Sequence, residues 1–109
     1  MLIDFENMEV KTIPHFKDGP GEVKACIADH GGCRIIRFVI GPGSGIGWHV
    51  HEDSCEVMYL LEGRGTVTEE SGSYPLLAGQ SCYCPKGCGH SFQNDSGEDL
   101  VLFAVVPQQ

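Results

Sequence analysis

The sequence predicts an all-β domain, a sandwich or barrel of short strands, on three observations. Glycine occurs 15 times and proline six times in 109 residues, more breakers than a helical bundle tolerates. Short β-favouring runs lie between these breakers at close spacing. No stretch of ten or more residues keeps a helical period without a breaker inside it.

Residues 1–21 read as an N-terminal arm or strand, broken by Pro14, Gly19, Pro20 and Gly21, and residues 22–109 as one barrel domain. Val23–Ala28 is the first strand-like run, and Cys33–Ile40 is the strongest. Pro42 and Gly43 then turn the chain toward a strand carrying His49 and His51. The glycine-rich run 41–47 fails G-x-G-x-x-G and the P-loop pattern, and no helix follows it, so a nucleotide site is rejected. Glu56–Leu61 and Gly65–Thr68 follow, with 64–78 a short connecting stretch. Ser81–Cys84 is bounded by Gly79 and Pro85, and His90–Asn94 precedes an Asp95-Ser96-Gly97 turn. Leu100–Val106 closes the series and is stopped by Pro107.

Composition narrows the function classes. Seven basic and 15 acidic residues give a net charge of −8, which repels phosphate backbones and argues against nucleic acid. No run of about 18 apolar residues is present to span a membrane. The start, Met1 to Glu6, lacks the basic and apolar regions of an export signal, so a cytoplasmic location is expected. In that setting Cys26, Cys33, Cys55, Cys82, Cys84 and Cys88 are expected as free thiols, packed as small hydrophobes. No C-x-x-C zinc motif occurs.

The chemistry lies in two segments. In the first, His49 and His51 are two residues apart, so on a strand both imidazoles face one side. Glu56 follows the polar turn Glu52-Asp53-Ser54, which can bring the next strand alongside and aim the carboxylate at the same point. The second segment supplies His90 after a Pro85/Gly87 turn, with Gly87 expected at positive φ. Three imidazoles and a carboxylate suit a transition metal rather than calcium or magnesium.

The spacing of the whole set resembles the cupin family. Its first motif, G-x5-H-x-H-x(3,4)-E-x6-G, is met by Gly43, His49, His51, Glu56 and Gly63. Its second, G-x5-P-x-G-x2-H-x3-N, is met by Gly79, Pro85, Gly87, His90 and Asn94. Gln80 departs from the acidic residue many cupins carry there, a position that is usually structural. The resemblance implies a double-stranded β-helix, the jelly-roll barrel of two facing sheets. It implies one divalent transition metal ion (Mn, Fe, Ni, Zn or Cu) on His49, His51, Glu56 and His90. It also implies a homodimer, often with the N-terminal strand reaching across.

Alternation assigns the remaining side chains. Met58 and Leu60 share the parity of Glu56, and Phe92 that of His90, so all three are expected to line the cavity, while Tyr59 points away. Trp48 faces opposite to His49, toward core or interface. Arg37 lies either on the solvent face, which alternation favours, or inside as an anchor for an anionic substrate. His15 and His30 fall outside both motifs and receive no metal role.

Family and site together imply a metal-dependent enzyme acting on a small, oxygen-rich polar metabolite, of isomerase, lyase or dioxygenase type. The alternative is a non-catalytic binding or sensing module. No acid or base is assigned from sequence; Tyr59, Tyr83, Cys82, Cys84 and Arg37 are the candidates.

Overall fold

A computed structural model describes residues 1–109. Ten strands form two antiparallel sheets. The six-stranded sheet holds, in spatial order, β1 (Lys11–Pro14), β2 (Glu22–His30), β3 (Cys33–Ile40), β10 (Leu100–Pro107), β5 (Glu56–Glu62) and β8 (Ser81–Cys84). The four-stranded sheet holds β4 (Gly45–Val50), β9 (Gly89–Gln93), β6 (Arg64–Glu69) and β7 (Gly72–Leu77). Single 3-10 turns occur at Phe5–Asn7 and Phe16–Asp18, and no helix is long and apolar enough to cross a membrane. The architecture is the double-stranded β-helix.

Alternation builds the core. On β10, Leu100, Leu102, Ala104 and Val106 are buried, and on β3 so are Ile36, Phe38 and Ile40. They meet Ile46, Val67, Leu76 and Phe92 of the other sheet. Each large apolar side chain fully buried this way contributes about 1.5–3 kcal/mol. Asn94 is fully buried among them and fully used. Its Nδ2 donates to Ile40 O (2.9 Å) and Glu98 O (2.7 Å), and its Oδ1 accepts from the Ser96 amide and hydroxyl. The last constrained position of the second motif thus ties the loop after β9 to the end of β3. Gln80 is structural too, its Oε1 accepting from the Leu77 amide at 2.9 Å.

One strand was not expected from the sequence, β7, and β1 is a short strand within the region read as an arm or strand. Both are edge strands and both contain a proline, Pro14 and Pro75. A proline cannot donate to a ladder, and only an edge accommodates it. Ahead of β1, the first turn lies against the outer face of the six-stranded sheet. Phe5 meets Phe103 edge-on (6.2 Å between centroids), and Glu6 Oε1 accepts from Arg37 Nη1 at 2.6 Å. Arg37 is therefore on the outer face, covered by the arm, and not inside the barrel.

Candidate metal centre

The site is built at one mouth of the barrel by three strands and a turn. β4 and β9 run antiparallel with His49 opposite His90. The chain leaves β4 at His51, which is pinned to the Pro85–Cys88 turn by His51 N to Cys88 O (3.0 Å) and Gly87 N to His51 O (2.7 Å). Gly87 makes that turn at φ 86. Glu56 opens β5, facing inward in the same row as Met58 and Leu60.

A bulge sets the histidine orientation. The register of β4 on β9 shifts between Ile46 and His49, so both face inward although they are an odd number of residues apart. Gly47 O, within the bulge, accepts from His49 Nδ1 at 2.8 Å. A carbonyl can only accept, so Nδ1 carries a proton, and the bond turns Nε2 into the barrel. His51 Nδ1 is held by a hydroxyl instead, 3.0 Å from Ser54 Oγ, a group that can donate or accept.

Four atoms converge. Glu56 Oε1 lies 2.8 Å from His90 Nε2, 3.0 Å from His51 Nε2 and 3.8 Å from His49 Nε2. His90 Nε2 is 3.1 Å from both of the other Nε2 atoms. The rings stand steeply to one another, at 62–71°, and present edges rather than faces to a common point. All four donor atoms lie within 4.8 Å of each other, a group that could hold a metal ion. Three inward-facing nitrogens against one oxygen form a donor set that a shared cation satisfies better than protons do. Burial works to raise the Glu56 carboxyl, but hydrogen bonds with His49, His51 and His90 outweigh it and hold the group well below the usual carboxylate range.

The cluster opens onto a cavity of about 130 Å³. Phe16, Phe38, Ile46 and Met58 supply apolar wall, and Lys17, Arg34 and Glu52 stand exposed where it opens. Met58 lines the cavity as expected from its parity. Leu60 and Phe92 do not; they face inward but lie deeper, in the packed core. Tyr59 and Tyr83 point outward and are exposed. Trp48 is not core either; 47% exposed, it lies across Gly89, where an added Cβ would stand 2.8 Å from Trp48 Cε2. Cys82 and Cys84 face inward on β8 beside Met58 and Glu56. Burial, then the Glu56 charge, pushes both thiols up to about 11, so they are neutral at pH 7. All six cysteines stand as thiols.

Sequence reasoning passed over Phe16, Lys17 and Arg34. Arg34 carried a signal, since it shares the inward parity of Ile36 and Phe38. Phe16 and Lys17 carried none, because a loop with left-handed residues places them.

Residues 36–106 match the family model described as "Cupin domain". An "Oxalate-binding protein" of Thermotoga maritima is 30% identical over 112 residues, covering 97% of this chain and 93% of that protein. A crystal structure from Thermotoga maritima, described as a predicted oxalate decarboxylase, superposes with a TM-score of 0.93 at 28% identity over the whole of both chains. A sugar phosphate isomerase of the cupin superfamily from Silicibacter pomeroyi reaches a TM-score of 0.81 at 18% identity, over all of this chain and 76% of that one, a likeness of fold alone.

Proposed function

The chain belongs to the cupin family, and from that premise we propose that it holds one divalent transition metal ion on His49, His51, Glu56 and His90 and acts there on a small, oxygen-rich carboxylate metabolite. The observation that carries this reading is the convergence of three Nε2 atoms and one carboxylate oxygen beside an open cavity that His49, His51 and Glu56 line. When bound, the metal would supply Lewis-acid chemistry, or oxygen chemistry if it is redox-active. The chain supplies the rest. His49 and His51 are oriented by Gly47 O and Ser54 Oγ, and Glu56 brings the negative charge. Phe16, Phe38 and Met58 exclude water from one side of the ligand.

A second reading, metal-dependent binding without turnover, is favoured by a specific observation. Apart from the four metal-binding candidates, the titratable groups lining the cavity are Lys17, Arg34 and Glu52, all exposed. Of the five acid/base candidates, Tyr59, Tyr83 and Arg37 face outward, and the two thiols stay protonated. Any turnover therefore rests on the metal more than on a proton-transfer residue. The relative named for oxalate binding points the same way. Incubating the metal-loaded chain with oxalate, keto acids, hydroxy acids and keto sugars separates the two. Product that vanishes on chelation and returns with metal supports the enzyme. Binding without product for every metal supports the module.

The homodimer belongs to this proposal as well. Val57, Tyr59 and Leu61 on β5 and Tyr83 on β8 form an outward apolar strip that a second copy would cover. Sedimentation of the purified chain tests it. The six thiols suit a reducing, cytoplasmic setting.

A further inference from the structure

The loop from His15 to Gly19 lies outside both sequence motifs, yet it closes one side of the cavity. Its backbone is uncommon, with His15, Lys17 and Asp18 at φ 49, 54 and 63, a left-handed region that side-chain-bearing residues seldom enter. Such conformations persist only where the surroundings impose them, and they gather at ligand sites. Here the surroundings are visible. The loop is cross-tied by Asp18 N to His15 O (2.9 Å) and Gly19 N to Phe16 O (3.0 Å). Phe16 packs on Phe38 at 5.8 Å. The loop backbone presses on β4 so closely that a Cβ at Gly47 would collide with Lys17 O, and one at Gly19 would stand 2.6 Å from Gly45 O and Gly47 N. The result is Lys17 fixed beside the cavity, its Nζ 5.5 Å from the Phe16 ring centroid.

Arg34 lines the same cavity from β3, as the outermost member of the inward row that continues through Ile36 and Phe38. The chain has seven basic and 15 acidic residues. Despite that excess, neither Lys17 nor Arg34 is ion-paired; the one basic side chain with a carboxylate partner other than histidine is Arg37. Two unpaired cations thus flank one small opening in a strongly acidic chain. The only acids lining that cavity are Glu52 and Glu56, and Glu56 belongs to the donor cluster.

We infer that Lys17 and Arg34 are the specificity-determining residues of the site, selecting a compact dicarboxylate whose inner oxygens face the His/Glu cluster and whose outer oxygens meet the ammonium and guanidinium groups. This rests on the metal reading above. The cavity is small, about 130 Å³, which suits a compact acid. Guanidinium matches a planar carboxylate in geometry, and a charge-assisted hydrogen bond is stronger than a neutral one.

The test uses the full chain loaded with cobalt(II), titrated calorimetrically with oxalate and with acetate. Lys17→Met keeps the stem against Phe16 and removes the charge; Arg34→Gln removes the other, and Arg34→Lys restores it. Each neutralising variant is expected to weaken oxalate at least about tenfold, with cobalt affinity and absorption spectrum unchanged. Arg34→Lys recovers part of the loss, and the preference for oxalate over acetate shrinks most in the double variant. An unchanged oxalate affinity in the double variant overturns the inference while leaving the metal reading intact. So does a cobalt-loaded wild type that binds acetate as tightly as oxalate. A chain that takes up no cobalt overturns the metal reading itself, and this inference with it.

Discussion

The two ends of the barrel interior are written on the same strands and have opposite chemistry. On β5 the inward row runs Glu56, Met58, Leu60; on β9 it runs His90, Phe92; on β3 it runs Arg34, Ile36, Phe38, Ile40. Each row begins with a charged or ligating residue at the open end and finishes apolar at the closed end. At the closed end the polar group is Asn94, and its side-chain hydrogen bonds are internal. At the open end the polar atoms face one another around a point. The closed end thus holds the fold together, and the open end has donors to spare for a ligand. Stability and metal affinity should therefore respond to different substitutions.

The largest stability effect belongs to the closed end. Leu102→Ala empties a site that is completely buried and should cost about 2–5 kcal/mol. Urea unfolding of the metal-free chain measures this, and metal affinity of the folded variant should be unchanged. A large loss of affinity would show that the two ends are not independent.

Glu56→Gln attacks the open end. It removes the only anionic donor and should weaken metal binding by at least about a hundredfold, read by titration. It also changes the acid response. A carboxyl whose folded pKa is depressed gives stability that is present above the ordinary value of 4.5 and lost as pH falls below it. The metal-free wild type should therefore lose stability on acidification from about pH 4.5 downward by more than Glu56→Gln does. Equal acid sensitivity would contradict the coupling between Glu56 and the histidines.

Smaller effects sharpen the contrast. Ser54→Ala removes the partner of His51 Nδ1 and should weaken metal affinity by about tenfold, the low end for a lost outer-shell contact, with little change in unfolding midpoint. Glu6→Ala breaks a pair with Arg37 on the outer face, where Glu6 is 79% exposed. It should cost under about 1 kcal/mol and leave the metal site untouched. A change in metal affinity there would mean that the arm communicates with the barrel mouth.

What was legible in the sequence follows from which forces act locally. Strands β3, β5, β8 and β10 show strong alternation or clean breakers, and their extents match the expected runs within a residue or two. The donor cluster was legible because motif spacing brought all four residues together on the page. The bulge at Gly47 was not, since it depends on a contact far off in sequence, the loop backbone at Lys17 and Gly19. Strict parity from His49 would have turned Ile46 outward, and in fact both face in. Parity also misjudged Leu60 and Phe92, because it reports the face of a sheet and not depth along the barrel. Lys17 was illegible for the same reason as the bulge: its place beside the cavity comes from tertiary packing of a left-handed loop.

The central claim is that His49, His51, Glu56 and His90 bind one metal ion together. A crystal structure of the zinc-loaded chain, with anomalous diffraction recorded on both sides of the zinc edge, tests it most directly. The account predicts a single strong site in the barrel, bonded to one nitrogen of each of the three histidines and to Glu56 at about 2.0–2.2 Å. A zinc site that leaves out Glu56 or His90, or one held elsewhere by the thiols of Cys84 and Cys88, would contradict it.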